Sequence, residues 1–500
     1  MGCKGSGESM LYHADTARGQ KAVRAQLLCA GLVTGLMVFA TVGRTETLEE
    51  VLVKTYQTSP ELAAERAATR ATDEEITQAK SKWMPSLNAE GSYAISSASG
   101  DSGGTQYDVR SRSWSADLVA RQPLFTGGRN GATRRIAEAQ VSAQRARLRS
   151  REQSVLLEAA IVYASIVRNE AVLDLAREDI AILQSLLKEF TDRHDANKAT
   201  DSDVDQILAS LEAARAECLA YHATLQNSWR AFEQVVGEPP MLMEPAEALG
   251  AVSPCIDALG QRKRSTLKMP DKLPMIPGTL EEVEEAARGN VPELDVARAE
   301  EAASRGTVSA AYAELLPKAG LTASIGTSGE DEDPQGSGRD SSVSARLSIP
   351  LFNGGAEWSE IRAARERANQ AKLKITSAQR QIMRSAHGAW YDLVSVRAVR
   401  AVNKAKAQTV LRAFEGLRKE MMDPKLHRSI TDLLGLRQAY LFTQIALIGS
   451  NREEAVTVFK LLAATGRLNA SDLKLPLEPY NPDVNLKHAN RFIGDTIQGE

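Results

Sequence analysis

The sequence predicts a mixed α+β membrane protein written twice, each half holding two short amphipathic strands and one very long helical hairpin. Three observations carry that reading. "QPLFTGG" at 122–128 returns as "IPLFNGG" at 349–355. Four segments of about ten residues alternate apolar and polar side chains, as strands of a membrane barrel do. From Gly131 to Phe190 there is no proline and no further glycine, a stretch that would run roughly 90 Å as a helix.

Composition narrows the class. The chain has 500 residues with 61 basic against 64 acidic side chains, so no basic footprint argues for nucleic acid. Four cysteines are too few for a disulfide framework. Cys218, in a helical pattern, and Cys255, in a linker, are not expected to pair. Residues 25–43 form an uncharged apolar run behind Arg18, Lys21 and Arg24, with small Thr41 and Gly43 near its end. That is the layout of a secretory signal over 1–43. A membrane-anchoring helix is the alternative, since about 19 residues can just span a bilayer. Cys29 follows Leu28 and lies inside the apolar run, so lipidation is not expected.

The duplication extends beyond the opening motif. "TLEEVLVKTYQTSPEL" at 47–62 is echoed by "TLEEVEEAARGNVPEL" at 279–294, an offset of 232, which Pro85 and Pro317 also keep. The two Pro-Leu-Phe motifs lie 227 apart, so the copies differ in a loop between the strands. The reading places the first repeat at 44–236, a proline-rich linker at 237–278, the second repeat at 279–468 and an irregular tail at 469–500.

Each repeat opens with a helix; over 47–82 the helical spacing starts at a Thr47–Glu50 capping box. Strands are expected at 86–96 and 113–121, and again around 318–325 and 342–349. In the first pair Leu87, Ala89, Tyr93 and Ile95, then Trp114, Ala116 and Leu118, share the apolar parity. The polar parity carries Glu90, Asp117, Arg121, Lys318 and Arg346, expected to line a water-filled lumen. The connections at 97–110 and 328–340 are rich in Gly, Ser and Asp and are expected as exposed loops.

Apolar residues then keep a seven-residue beat: Val141, Leu148, Val155, Val162, Ala176, Leu183 and Phe190. Such a beat implies packing on neighbouring helices in a left-handed supercoil. Asn169 interrupts it, at a place expected to lie near water. The pattern breaks at 191–201 and a second helix returns from Ser202 to Val236. The other copy runs from about 356 to 420 and returns from Ile430 to Thr465. The repeated motif then reads as an elbow between tilted strand and upright helix. Pro123 and Pro350 end the sheet pairing, because proline donates no ladder hydrogen bond. Gly127, Gly128, Gly354 and Gly355 supply dihedrals closed to other residues. Phe125 and Phe352 belong at the membrane–water boundary. A phosphate-binding loop is excluded at "FTGGRNG", which has neither GK[ST] nor the GxGxxG spacing.

Strand pairs, elbows, two long hairpins and the duplication together resemble the TolC-type outer membrane efflux family over residues 45–468. The resemblance implies a homotrimer whose three protomers close a twelve-stranded β-barrel, continued through the periplasm by an α-helical coiled-coil barrel. It implies a passive exit duct in the outer membrane, contacting its lipid, of a tripartite efflux or type I secretion system. Its partners would be a periplasmic adaptor and an inner-membrane transporter of ABC or RND type. The segment "GNVPELDVAR" stands where lipid-anchored drug-efflux relatives carry "RRPD", which favours the secretion-like branch. The resemblance also implies a periplasmic gate at the hairpin tips, with Ser202 and Asp203 opposite Arg428 and Asp432 in a ring that narrows the pore. Two departures stand out: Gly435 replaces a second ring acid, and a tip tyrosine aligns near Asp423. Asp203 as a plain helix cap is the other reading of that residue. A periplasmic coiled-coil adaptor is the other reading of the chain, although adaptors have one hairpin and no membrane-length strands. The six histidines are scattered without a metal-ligand spacing such as HExxH, so no metal, cofactor or enzyme activity is expected.

Overall fold

The computed structural model describes residues 46–243, 264–270, 272–330, 333–421 and 428–489. The expected signal segment, Cys255 and the second hairpin's turn at 422–427 lie outside these residues. In chain order the elements are α1 (Leu48–Thr58), α2 (Pro60–Ser81), β1 (Ser86–Ser102), β2 (Thr105–Thr126), α3 (Arg129–Asp195) and α4 (Asp201–Val236). The short β3 (Leu242–Met243) and β4 (Arg264–Ser265) pair within the linker, and α5 (Leu280–Gly289) and α6 (Pro292–Ala313) follow. Then come β5 (Lys318–Glu330), β6 (Asp333–Ser348), α7 (Ala356–Glu420), α8 (Ile430–Ala464) and α9 (Pro482–Ala489).

The opening helix is broken where the sequence reading ran it through. Thr47 and Glu50 form the capping box of α1, but Ser59 caps a new helix with Pro60 in its first turn. Proline suits that position because its missing N–H needs no partner there. The second copy does the same at Val291–Pro292. The strands also run further than the alternation indicated. β1 and β2 pair from Ser86↔Arg121 to Ser102↔Thr105, so 97–110 is a hairpin end rather than an open loop. Backbone ladders form whatever the side chains are, so Gly, Ser and Asp hid the extension.

One four-stranded antiparallel sheet has the order β1-β2-β5-β6. It leaves β1 and β6 as edges. The helices α3 and α7 have 67 and 65 residues, close to 100 Å each at 1.5 Å per residue. α3 packs on α4 and α8 towards the hairpin tips and on α2 and α6 towards the sheet, with α7 beyond α6 and α8. One apolar core joins α3, α4 and α8 (Ile180, Leu183, Ile207, Phe232 and Leu433). A second joins α1, α3, α5, α7 and α8 (Leu52, Leu156, Val283, Leu393 and Phe459).

Two positions differ from the sequence reading inside these cores. Asn169 is buried, and its Nδ2 donates to the Ser228 Oγ at 2.5 Å; it faces the returning helix rather than water. Cys218 is fully buried and disulfide-bonded, against the expectation of no bridge; the other three cysteines lie outside the described residues. The tail is ordered through α9, which packs along α2. There Asn485 Nδ2 donates to Asp73 Oδ2 at 3.0 Å, and Arg145 pairs with Asp483 at 2.8 Å. Among the described residues no helix is long and apolar enough to cross a membrane.

Candidate channel site

The strand register sorts side chains onto two faces. Residues directly opposite share a face, so Leu87, Ala120, Ala323 and Val343 form one row, and Ala89, Leu118, Ile325 and Ser341 the next. No other described residue covers this apolar face: Leu87 is 67 % and Val343 74 % exposed. Trp114 and Tyr93 stand opposite each other on it, with the indole laid over Gly329. The other face carries Glu90 opposite Asp117, with Arg121 Nη2 3.9 Å from Glu90 Oε1. Arg346 lies opposite Gly320 on the same face. Serine pairs run along it, Ser92–Ser115 at 2.9 Å and Ser324–Ser342 at 2.8 Å. Along β2 the polar-parity residues Ser113, Ser115, Asp117 and Val119 are the more covered set, whereas Ala116 and Leu118 are exposed. The polar face of this strand is therefore the sheltered one. Lys318 shares its parity but sits at the α6–β5 junction, bonded to Glu314 at 2.5 Å. That hydrogen bond, with Arg129 adding to it, pulls the Glu314 carboxyl below its ordinary range.

The elbows are built as their glycines suggested. Gly127 and Gly128 have φ of 64° and 83°, Gly354 and Gly355 of 68° and 83°, the left-handed region that disfavours a side chain. Gly128 and Gly355 are the N-caps of the two long helices. Pro123, however, does not end the sheet. Pairing continues to Thr126 across a register shift between Pro123 and Phe125, so the sheet takes up the missing proline donor as an irregularity rather than an end, and the Pro123 carbonyl accepts from Gln122 Nε2 at 2.9 Å. Pro350 does lie beyond the end of β6 at Ser348. The two elbows differ in their surroundings. A Cβ on Gly127 would meet the Ala313 carbonyl oxygen at 2.6 Å, whereas one on Gly354 would meet nothing within 4 Å. Asn130 Nδ2 also ties the first elbow to the Lys82 carbonyl at 2.7 Å.

At the tips Asn197 takes φ 57°. Asp203 is held in the capping box of α4: its N–H donates to Thr200 Oγ1 at 3.2 Å, and its Oδ2 accepts from the Thr200 N–H at 2.9 Å. Ser202 Oγ accepts from Gln206 Nε2 at 3.3 Å. Arg428 reaches Glu420 through Nε at 3.0 Å and Nη2 at 2.8 Å. Within one protomer the structure therefore does not bring Asp203 and Arg428 together. A carboxylate at the third position of a helix finds its own cap nearer than any partner on the other hairpin. Asp432 is exposed in the first turn of α8.

Contacts that do join the two hairpins lie at residues the sequence reading missed. Thr431 Oγ1 donates to Gln206 Oε1 at 2.9 Å, and Arg193 Nη2 donates to the Met421 carbonyl at 2.8 Å. Deeper in, Arg437 of α8 and Asp179 of α3 form a buried ion pair, 8 % and 6 % exposed. Burial pushes the Asp179 carboxyl above its ordinary value, more than Arg437 pulls it down. The signal was present: Arg437 continues the apolar seam Ile430–Leu433–Leu441, where a charge demands a partner.

A sheet with one bare apolar and one polar face, running into helices of this length, has the build of a membrane channel subunit. The outer membrane efflux protein family model matches residues 51–238 and 284–421. The chain belongs to that family, an outer-membrane transport family of Gram-negative bacteria. It is 28 % identical over 471 residues to the outer membrane efflux protein BepC of Brucella suis biovar 1 (strain 1330), covering 93 % of this chain and 95 % of that one. It is 22 % identical to the outer membrane protein TolC of Escherichia coli (strain K12), over 87 % of this chain and 85 % of TolC. The Campylobacter jejuni CmeC outer membrane channel superposes with a TM-score of 0.68 at 13 % identity, over 89 % of this chain and 90 % of CmeC.

Proposed function

We propose that three copies of this chain close a twelve-stranded barrel that serves as the exit duct of a tripartite efflux or type I secretion system. The observation that carries the proposal is the four-stranded sheet with two open edges, one bare apolar face and one polar face. Open strand edges are not tolerated in lipid, so the barrel must close between chains. Glu90, Asp117, Arg121, Lys318 and Arg346 then line or border the water-filled lumen, and the apolar rows meet lipid.

Internal pseudo-symmetry supports the trimer and the duplication behind it. The small cores Ile76–Ala79–Ala137 and Val308–Ala311–Ala364 match at the sequence offsets of 232 and 227. The contact of α3 on α6 has its counterpart in α7 meeting α2 of the next copy. On this reading the mature chain begins near residue 44, repeats one and two span 44–236 and 279–468, and residues 237–278 link them. The duct is passive. An inner-membrane pump of ABC or RND type, bridged by a periplasmic adaptor, would open the hairpin tips. The tip residues Ser202, Asp203, Arg428 and Asp432 would form the gate, Asp432 tripled by symmetry so that it attracts cations. Because Asp203 caps its own helix and Arg428 is held by Glu420, the latch across protomers is an exposed one, worth under about 1 kcal/mol per pair. The segment "GNVPELDVAR" at 289–298 favours the secretion-like branch.

Cysteine scanning in intact membranes tests the duct. Cysteines at Glu90, Asp117, Arg121 and Arg346 should react with a membrane-impermeant thiol reagent, and those at Leu87, Leu118, Leu321 and Leu347 should not. Equal labelling of both sets would overturn the barrel. For the gate, Arg428→Ser with Asp203→Ala should raise single-channel conductance in planar bilayers without loss of trimer, and unchanged conductance would put the closure elsewhere.

A further inference from the structure

The apolar face of the sheet is not apolar to its end. Arg110 and Arg112 on β2 keep the parity of Trp114 and Leu118, and Arg339 on β6 keeps that of Val343 and Leu347. Arg110 lies opposite Ser97, Arg112 opposite Ile95 and Arg339 opposite Thr327, and all three are exposed. Among the described residues none of the three is in an ion pair. Two acids share that parity: Asp101, whose Oδ1 accepts from the Gly104 N–H at 2.9 Å, and Asp108, at the register position two residues before Arg110. Glu90, Asp117, Glu330 and Asp340 lie on the other face. The outward face thus carries three arginines against Asp101 and Asp108, and its arginines occur at the hairpin-loop end alone.

Height in the bilayer gives the placement of these arginines a meaning. Phe125 at the elbow and Trp114 near the loop end are eleven residues apart on β2. At about 3.3 Å per residue and a tilt near 45°, that is roughly 25 Å, the height of a barrel's apolar band between its aromatic girdles. Arg112 and Arg110 stand just beyond the upper girdle, and Arg339 one cross-strand row inside it. The elbows lead into the long helices, so the loop end faces the outside of the cell. In a Gram-negative outer membrane that leaflet is built of a phosphorylated glycolipid. A guanidinium presents a planar fork of donors that fits a phosphate bidentately. We propose that Arg110, Arg112 and Arg339 form an outward-facing cradle for the phosphate groups of the outer-leaflet glycolipid. The cradle rests on the barrel reading and adds to it: it selects the lipid around the trimer and fixes the depth of the barrel by its outer rim.

The test uses the purified full-length trimer with lipid A in detergent, bound lipid being measured by native mass spectrometry. Wild type should bind bis-phosphorylated lipid A and bind the dephosphorylated form no better than the variant Arg110→Gln/Arg112→Gln/Arg339→Gln does. Affinity should fall about fivefold for each arginine removed. Equal binding of both lipid forms, unchanged binding by the variant, or competition by millimolar inorganic phosphate would each overturn the cradle. If the triple variant does not assemble, Arg112→Gln and Arg339→Gln, on different strands, carry the same comparison. Thiol labelling at Leu118 and Arg121 separates the two claims. Loss of lipid selectivity with normal labelling sinks the cradle alone, and reversed labelling sinks the barrel with it.

Discussion

The two long helices begin alike and end differently. α3 and α7 each start at a left-handed glycine after Pro-Leu-Phe and differ by two residues in length, yet 27 of 67 residues are buried in α3 and 9 of 65 in α7. Tyr391 is 60 % and Val402 66 % exposed, in a heptad seam of α7 with Ser377, Gly388, Ala398 and Ala405 that no other described residue covers. At the offset of 227, Tyr391 corresponds to Ala164, which is buried. Corresponding helices with unequal burial teach where the protomer is unfinished: α3 is covered within the chain, and on the trimer proposed above a second copy covers α7.

The largest expected effect tests that contrast directly. Ala164→Glu places an unpaired charge inside the protomer, at a cost of several kcal/mol, and should abolish folding. Tyr391→Glu should leave helix content by circular dichroism near wild type and remove the trimer band on unheated gels. Trimers from Tyr391→Glu would mean that the α7 seam faces solvent in the assembly.

The next effect concerns the pin between the hairpins. Removing one partner of a buried ion pair typically costs about 3–5 kcal/mol, while replacing both by apolar residues is often neutral. Arg437→Met should therefore destabilise the protein strongly in thermal unfolding, and Asp179→Leu/Arg437→Met should recover most of the loss. Equal destabilisation by the single and double variants would assign Arg437 a purely steric role.

These two regions also mark how far the sequence could be read. Helix length was legible because proline and glycine are absent over a long run and the seven-residue beat needs no partner to be seen. The elbows were legible from glycine chemistry, and the strand faces from parity. The ends of β1 and β2 were not, since ladders through Ser and Gly leave no side-chain signature. The break at Ser59–Pro60 carried its own signal, a capping serine before proline, which the even helical spacing on either side masked. The tip contacts depended on which of several polar neighbours lies nearest. Thr200 takes Asp203 and Glu420 takes Arg428, and spacing along one hairpin cannot rank such choices against the other. The Asp179–Arg437 pair joins positions 258 apart, so only the demand for a partner was visible, not the partner.

A smaller effect separates the elbows. Both glycines carry the left-handed penalty of roughly 1–2 kcal/mol for a side chain, but only Gly127 has Ala313 against it. Gly127→Ala should lower folding yield more than Gly354→Ala in the unassembled protomer. If the end of α2 from a second copy covers Gly354 as α6 covers Gly127, the two variants should converge once trimers form. Persisting inequality in the trimer would break the pseudo-symmetry at the elbows.

The smallest effect is a pH dependence at the middle of α3. Glu170 is buried and its Oε1 accepts from the Ser265 N–H at 2.7 Å, holding the linker strand β4 against the helix. Its counterpart at the offset of 227 is Arg397, half exposed and paired with Glu454 at 3.2 Å. Burial raises the Glu170 carboxyl above its ordinary value, and the bonds from Ser265 and the nearby Arg264 only partly oppose it. The sign follows from proton uptake. Between the ordinary and the raised value the folded chain holds a proton that the unfolded chain has released, so folding takes up a proton there. Stability from this group is therefore greatest on the acid side and declines as pH rises through the raised value, by at most about 1.4 kcal/mol per pH unit for one proton. Glu170→Gln keeps a carbonyl acceptor for Ser265 and removes the titration. Its unfolding temperature relative to wild type should rise as pH increases from the ordinary carboxylate range through the raised value, whereas Arg397→Gln, on the open helix, should show no such trend. A flat difference for Glu170→Gln would mean that the linker does not dry this side of α3, and that the two helices differ in packing without differing in polarity.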